Sequence, residues 1–137
     1  MIRALDEDEM VGPELAHLVW LSTAANDEKL GRILREVLPG LLLIGVFEHR
    51  RLVAFVALDA GSEMIVIRYI AVDEKWQGRG HGRSLVSAAR EMVPGRGLCA
   101  ETDDDAVGFY RRIGFTVTEM ARDPRWPERQ RYACALA

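Results

Sequence analysis

The chain predicts an α+β fold on a mixed, mainly antiparallel sheet, and three observations carry that prediction. Two apolar, strand-like runs, Leu41–Phe47 and Leu52–Leu58, lie close enough to pair as a hairpin. From Ile65 onward the pattern alternates strand, helix, strand, helix, which gives the sheet its mixed character. A glycine-dense turn, Gln77-Gly78-Arg79-Gly80-His81-Gly82, joins the first of those strands to the first of those helices.

The elements follow in order. Ile2–Leu5 is a short first strand. A helix is expected from about Pro13, with Leu15, Leu18, Val19 and Leu21 at helical spacing. Gly12-Pro13 marks its entry, because proline suits the first helical position. Asn26 or Asp27 caps a second helix carrying Leu30, Ile33, Leu34, Val37 and Leu38, and Pro39-Gly40 stops it. The hairpin turns at Glu48-His49-Arg50-Arg51, and without Gly or Asn there it is expected as a loop of about four residues. Ala60-Gly61-Ser62 turns into a β-branched strand ending near Val72. A helix over Gly82–Val93 is stopped by Pro94-Gly95, and Leu98–Thr102 is the next strand. Asp103-Asp104-Asp105 is expected to cap a helix near Ala106–Arg112, with Gly114 suited to the left-handed position after it. Phe115–Met120 and Arg131–Leu136 are the last two strands, joined by a loop containing Pro124, Trp126 and Pro127. The sheet is thus flanked by about four helices.

Composition narrows the class. The 137 residues suit a single domain over 1–137. An apolar fraction of 49% with 28% charged residues is ordinary for a globular chain. Net charge is -3 and no basic run is sustained, which argues against nucleic acid as a partner. Arg122, Arg125, Arg129 and Arg131 cluster, but Asp123 and Glu128 interrupt them. No apolar stretch reaches the ~18 residues of a membrane span. Met1–Glu9 is acidic, unlike a signal peptide, so the cytoplasm is the expected location. Cys99 and Cys134 sit in apolar runs and are expected as buried free thiols. His17 on a helix, His49 in the hairpin turn and His81 in the glycine turn form no metal constellation.

A strand feeding a helix through glycines is a way to bind phosphate. The first N–H groups of a helix lack internal partners and carry partial positive charge. Glycines let a pyrophosphate approach the backbone, and Arg79 and Arg83 flank the turn as cations. A P-loop is excluded, because no Gly-Lys-Ser/Thr opens the helix. The dinucleotide fingerprint G-x-G-x-x-G fits at Gly78 and Gly80 but has Arg83 in the third place; Glu101 lies about 20 residues on, where a ribose-binding acid belongs. A ligand-free glycine turn is the remaining reading.

Gln77-x-x-Gly80-x-Gly82, after a strand ending Ile70-Ala71-Val72, resembles the pyrophosphate loop of the GNAT superfamily of acyl-CoA N-acyltransferases. A second signature, Ala106-Val107-Gly108-Phe109-Tyr110-Arg111-Arg112-Ile113-Gly114-Phe115, is similar to that family's last helix and the Gly-Phe opening the next strand. The resemblance covers about Ile65 to Val117. It implies a sheet splayed between the Ile65–Val72 and Leu98–Thr102 strands, with acetyl-CoA as co-substrate and no metal. The pantetheine arm would lie in the splay as a surrogate strand on the backbone of Ile70, Ala71 and Val72, with the pyrophosphate on Gln77, Gly78, Arg79, Gly80, His81, Gly82 and Arg83. It further implies Tyr110 as the acid protonating the departing thiolate. Many relatives carry an Asn where this chain has Asp103, whose carboxylate accepts but cannot donate, so Asp103 is a cofactor contact or only a cap. Relatives often place a Glu as base on the strand before the loop, yet Ile65, Val66 and Ile67 offer no carboxylate. Glu101 is the preferred base, with Glu63 or an ordered water as the alternatives and a plain strand-end charge as the competing reading of each glutamate.

The implied reaction is acetyl transfer to a primary amine, on a small molecule or a peptide, by direct attack. The acceptor would meet Trp20, Asp27, Glu28 and Trp126, and the acidic chain suits a cationic amine. A non-catalytic acyl-CoA-binding or regulatory module is the alternative. A homodimer is compatible with either.

Overall fold

The computed structural model describes residues 1–61 and 63–137; Ser62, part of the turn predicted at 60–62, lies outside them. Among the described residues seven strands form one sheet: β1 (Ile2–Ala4), β2 (Leu42–Glu48), β3 (Arg51–Asp59), β4 (Ile65–Val72), β5 (Leu98–Asp103), β6 (Thr116–Glu119) and β7 (Arg131–Leu136). Their order is β1-β2-β3-β4-β5-β7-β6. Every neighbouring pair is antiparallel except β4–β5. The mixed α+β architecture is as the sequence predicts.

Among the described residues five α-helices flank the sheet: α1 (Glu7–Met10), α2 (Pro13–Thr23), α3 (Asp27–Arg32), α4 (His81–Met92) and α5 (Val107–Arg112). The sequence predicts four of them. The extra one, α1, buries no residue and so leaves no apolar periodicity to read. A capping box starts it: the Glu9 N–H donates to Asp6 and the Asp6 N–H donates to Glu9, both at 2.8 Å. Asn26 caps α3 by accepting from the Lys29 N–H at 2.9 Å. The predicted second helix then continues as a π-helical turn (Ile33–Val37) and a 3-10 turn ending at Gly40.

The hairpin between β2 and β3 is tighter than expected. Glu48 pairs directly with Arg51, so only His49 and Arg50 form the turn, with φ of 50° and 67°. Positive φ at both central residues is what a type I′ turn requires, because its twist matches the flanking strands. The register of the hairpin, shifted between Val46 and Phe47, wins over the poor local preference of His and Arg for that conformation.

Each face of the sheet carries its own core. Leu15, Leu18 and Val19 of α2 pack with Phe47, Phe55 and Ala57 on one face. Leu85, Val86 and Ala89 of α4, with Val107 and Tyr110 of α5, pack on Val56, Ile65 and Leu98 on the other. Strand alternation sends successive side chains to opposite faces. Tyr69 and Ala71 accordingly join the α2 side, while Ile70 and Val72 join the α4–α5 side.

Candidate active site

The sheet opens between β4 and β5. Their parallel pairing is limited to Ile65 with Leu98 and Val66 with Cys99. Just beyond, the β3–β4 register shifts between Ala57 and Leu58, leaving Arg68 unmatched. A bulge bends its strand and increases local twist, which accounts for β4 turning away from β5. The Asp73 N–H donates to the Val53 carbonyl at 2.8 Å. By antiparallel alternation Ala71 and Tyr69 then also bond toward β3, and the N–H and C=O groups of Ile70 and Val72 point into the gap. Gln77 confirms the direction, since its Nε2 donates to the Val72 carbonyl at 3.0 Å.

At the wide end of the gap the chain makes a 3-10 turn (Glu74–Trp76) and enters α4 through the glycines. Gly78 and Gly80 have φ of 79° and 82°, a conformation in which a Cβ is strained, and a Cβ built on either meets nothing within 4 Å. Both therefore border open space. Gly82 differs. Its φ is not positive, and a Cβ there would stand 2.6 Å from Phe109 Cε1, so this glycine lets α4 and α5 approach each other.

A groove of about 650 Å³ runs from the gap over this turn. It brings together ten of the predicted residues: Ile70, Ala71, Val72, Gln77, Gly78, Gly80, His81, Gly82, Arg83 and Tyr110. His81 begins α4. Its Nε2 is buried with no hydrogen-bond partner among the described residues, and its ring lies 6.2 Å from that of Trp76. Such an orphaned polar atom awaits a partner.

Tyr110 is 5% exposed, with Phe109 and Phe115 edge-on at 5.1 Å each. No hydrogen bond to its hydroxyl forms among the described residues. Burial, with a smaller contribution from Cys134, pushes its pKa well above the ordinary phenol value, so the phenol keeps its proton throughout the neutral range.

Other predicted residues lie elsewhere. Arg79 is outside the groove wall, its guanidinium 4.6 Å above the Trp76 ring. Glu101 is exposed on β5. Ala100 and Thr102 are buried toward α4 and α5, so alternation puts Glu101 on the opposite face, the α2 side of the sheet. Asp103 ends β5, where its carboxylate accepts from the Asp105 N–H at 3.0 Å. It shapes that turn rather than capping α5, whose first turn has no side-chain cap. Glu63 is exposed and its carbonyl accepts from Arg96. Trp20 is exposed beside His17, at 5.9 Å between rings; Asp27 and Glu28 are exposed on the first turn of α3. Trp126 is exposed beneath Arg125, 4.7 Å away. Both thiols are free, but Cys99 is only half-buried, contrary to expectation, while Cys134 is fully buried.

The structure adds groove residues that the sequence analysis passed over: Leu21, Trp76, Asp105, Ala106, Phe109, Arg112 and Ile113. Ala106, Phe109, Tyr110 and Ile113 fall at the i, i+3, i+4, i+7 spacing of one helix face, a signal present in the sequence. It also gathers His17, Asp73 and Glu74, whose ligand atoms lie within 4.8 Å of one another. Fifty-five residues separate His17 from Asp73 along the chain, and that distance hid the cluster. The His17 ring bonds Glu74 at 2.8 Å and holds its carboxyl below the ordinary range. No helix among the described residues is long and apolar enough to cross a membrane.

With this geometry in place, comparison decides the family. A family model for the acetyltransferase (GNAT) domain matches residues 41–117, more than half of the chain. The chain belongs to the GNAT acetyltransferase family. Solved structures with the same fold include an aminoglycoside 6′-N-acetyltransferase complexed with coenzyme A, at 14% identity and a TM-score of 0.81, covering 99% of this chain and 96% of that one. A GNAT family acetyltransferase from Elizabethkingia anophelis with acetyl-CoA bound is 16% identical, with a TM-score of 0.73 and coverage of 99% and 96%. The ribosomal-protein-S18-alanine N-acetyltransferase from Escherichia coli is 19% identical, with a TM-score of 0.72 and coverage of 99% and 92%. No curated protein matches this GNAT chain in sequence.

Proposed function

We propose that this acetyltransferase moves an acetyl group from acetyl-CoA to a primary amine by direct attack. The observation that carries the proposal is the gap itself: Ile70 and Val72 direct backbone groups into it beside a positive-φ glycine turn, and Tyr110 faces the same groove. The groove fits the co-substrate on three counts. Its glycine floor is open where a pyrophosphate would lie. The first N–H groups of α4, at His81 and Gly82, have no acceptor inside the helix. The buried Nε2 of His81 has no partner among the described residues. Gln77 shapes the turn through Val72, and Arg79 and Arg83 add positive charge near it. Asp103 contributes through the turn that brings Asp105 and Ala106 to the groove.

In the transfer, the amine nitrogen forms a bond to the thioester carbonyl carbon, the carbonyl oxygen gains negative charge, and the carbon–sulfur bond then breaks. Backbone N–H groups in the gap are suited to hold that oxygen. Tyr110 gives its proton to the leaving sulfur, and Glu101 takes the proton the amine loses. Glu101 stands on the α2 side of the sheet, so the acceptor would enter from that face, toward Trp20, Asp27, Glu28 and Trp126. A cationic small-molecule or peptide amine suits these carboxylates.

The test begins with melting curves in the presence of acetyl-CoA, NAD and ATP, followed by thiol release with a broad amine panel. Acetyl-CoA at about 100 times its Kd should stabilise by ~2.7 kcal/mol; a larger shift with NAD refutes the cofactor. Tyr110→Phe should leave acetyl-CoA affinity unchanged and lower kcat by ~10-fold or more. Binding without turnover on any amine would instead favour a non-catalytic acyl-CoA-binding module, a reading to which the carboxylate-free stretch Ile65–Val72 lends some weight.

A further inference from the structure

Two side chains of opposite charge flank the sheet where it begins to open. The last pairs between β4 and β5 are Ile65 with Leu98 and Val66 with Cys99. Continued by two residues, that register sets Arg68 opposite Glu101, the first charged positions past the end of the pairing. Arg68 is the unmatched residue of the β4 bulge, and bulges re-aim side chains. Its direction follows from Asp59. Asp59 lies two residues beyond Ala57, which packs on the α2 side, so alternation puts Asp59 on that side as well. Arg68 Nη2 donates to Asp59 Oδ2 at 3.2 Å, which brings the guanidinium to the α2 side. Glu101 occupies the same face of β5. The Arg68 side chain is 55% exposed and meets Asp59 through one nitrogen, so among the described residues its other N–H donors remain available. Glu101 has no ion-pair partner among the described residues.

We propose that Arg68, set across from Glu101, selects an acceptor that carries a carboxylate a few bonds from its amine, the chemistry of a free amino acid. The proposal rests on the amine-acetylation reading above and narrows its acceptor. Glu101 draws the ammonium toward β5 and takes its proton. Arg68 receives the carboxylate on the β4 side, where a planar guanidinium matches the two carboxylate oxygens. Opposite signs on the two arms also fix the orientation of the ligand, because the reversed pose would bring like charges together. An amine without a carboxylate satisfies Glu101 but sets its cation near the Arg68 guanidinium with nothing to offset it. The amine of a peptide presents a neutral carbonyl at that distance, a weaker acceptor than a carboxylate. The arrangement thus favours the amino acid by attraction and disfavours the other two by what they leave unmatched.

The test is steady-state thiol release from acetyl-CoA with a panel of α-, β- and γ-amino acids, each beside its amide. The proteins compared are the parent, Arg68→Gln and Asp59→Asn, and circular dichroism establishes that each variant is folded. The parent should show a kcat/KM about tenfold or more higher for the best amino acid than for its amide, as expected for charge-assisted bonds. Arg68→Gln should lose that preference through a raised KM for the amino acid, while turnover of the amide stays at the parent's level. Comparing the acid-to-amide ratio between proteins cancels the different basicity of the two amines. Asp59→Asn should keep the preference, because Arg68 remains. If the parent turns over the amides as well as the acids, the proposal is overturned and the acetyl-transfer reading stands. A preference that survives Arg68→Gln overturns it too, since the carboxylate is then read elsewhere. So does a preference lost equally in Asp59→Asn, which would make the ion pair only a prop for the bulge. Absence of thiol release with every amine, carboxylate-bearing or not, overturns the acetyl-transfer reading and this proposal with it.

Discussion

Gly82→Ala adds one methyl group at the tightest contact between α4 and α5. The new Cβ would stand 2.6 Å from Phe109 Cε1 and 3.0 Å from its Cζ. Carbon atoms normally rest about 3.5–4.0 Å apart, so the helices must part by roughly 1 Å or Phe109 must leave its rotamer. Overpacking of this kind costs ~1–3 kcal/mol. Replacing glycine by alanine within a helix returns at most ~1 kcal/mol, and less at this second helical position. The clash wins, leaving a net loss of about 1–2 kcal/mol at the middle of those ranges. Thermal unfolding should then fall by roughly 3–8 °C. Phe109 packs edge-on against Tyr110, so the groove should loosen with it. Adding Phe109→Leu shortens the opposing side chain, and the double variant should melt above Gly82→Ala alone. A Gly82→Ala protein as stable as the parent would refute the reasoning about this helix contact.

Two further outcomes follow from backbone strain and burial. Arg50→Gly relieves a left-handed residue in the type I′ hairpin and should raise stability by about 0.5–1 kcal/mol in urea unfolding; an unchanged midpoint would mean the turn carries no strain. Tyr110 titrates higher in the folded chain than its ordinary value of 10.0, so its contribution is fully present below pH 10 and is lost as pH rises above it. Cys99 and Cys134, both raised by burial, add their own loss above pH 9, and Tyr132, raised by its bond to Asp104, adds to the loss above pH 10. Stability measured from pH 9 to 11 should therefore decline less steeply in Tyr110→Phe than in the parent, and identical slopes would refute the burial effect.

The sequence carries most of the fold because its punctuation is local. Pro13 opens α2, Asn26 caps α3, and strand-forming runs separated by turn residues set β2 to β5. What escaped it depends on contacts made elsewhere. His49 and Arg50 accept positive φ only because the β2–β3 register demands it. The α1 capping box is present in the sequence as Asp6-x-x-Glu9, but the helix buries no residue and so carries no apolar stripe to mark it. In the site, the glycine turn and Tyr110 were readable as spacing. Arg112 and Trp76 were not, because nothing in one dimension says that the ends of α5 and of the 3-10 turn face one groove. Nor does spacing reveal which face of β5 carries Glu101.

The gap between β4 and β5 explains why so little side-chain identity is needed to build the site. Pairing stops at Val66, and the bulge at Arg68 carries β4 away, so Ile70 and Val72 lose the strand that would have satisfied their outer N–H and C=O groups. Buried backbone groups must find partners. Gln77 takes the Val72 carbonyl, and those that remain are left to water or to a ligand lying where a strand would. Recognition written in backbone groups tolerates substitution, because any side chain that keeps β4 extended keeps the donors in place. Chains 14–19% identical to this one accordingly share its fold at TM-scores of 0.72–0.81. Side-chain identity matters again only where the backbone alone does not suffice: at Gly78 and Gly80, which adopt positive φ, and, in the mechanism proposed above, at Tyr110, whose proton no peptide group can supply.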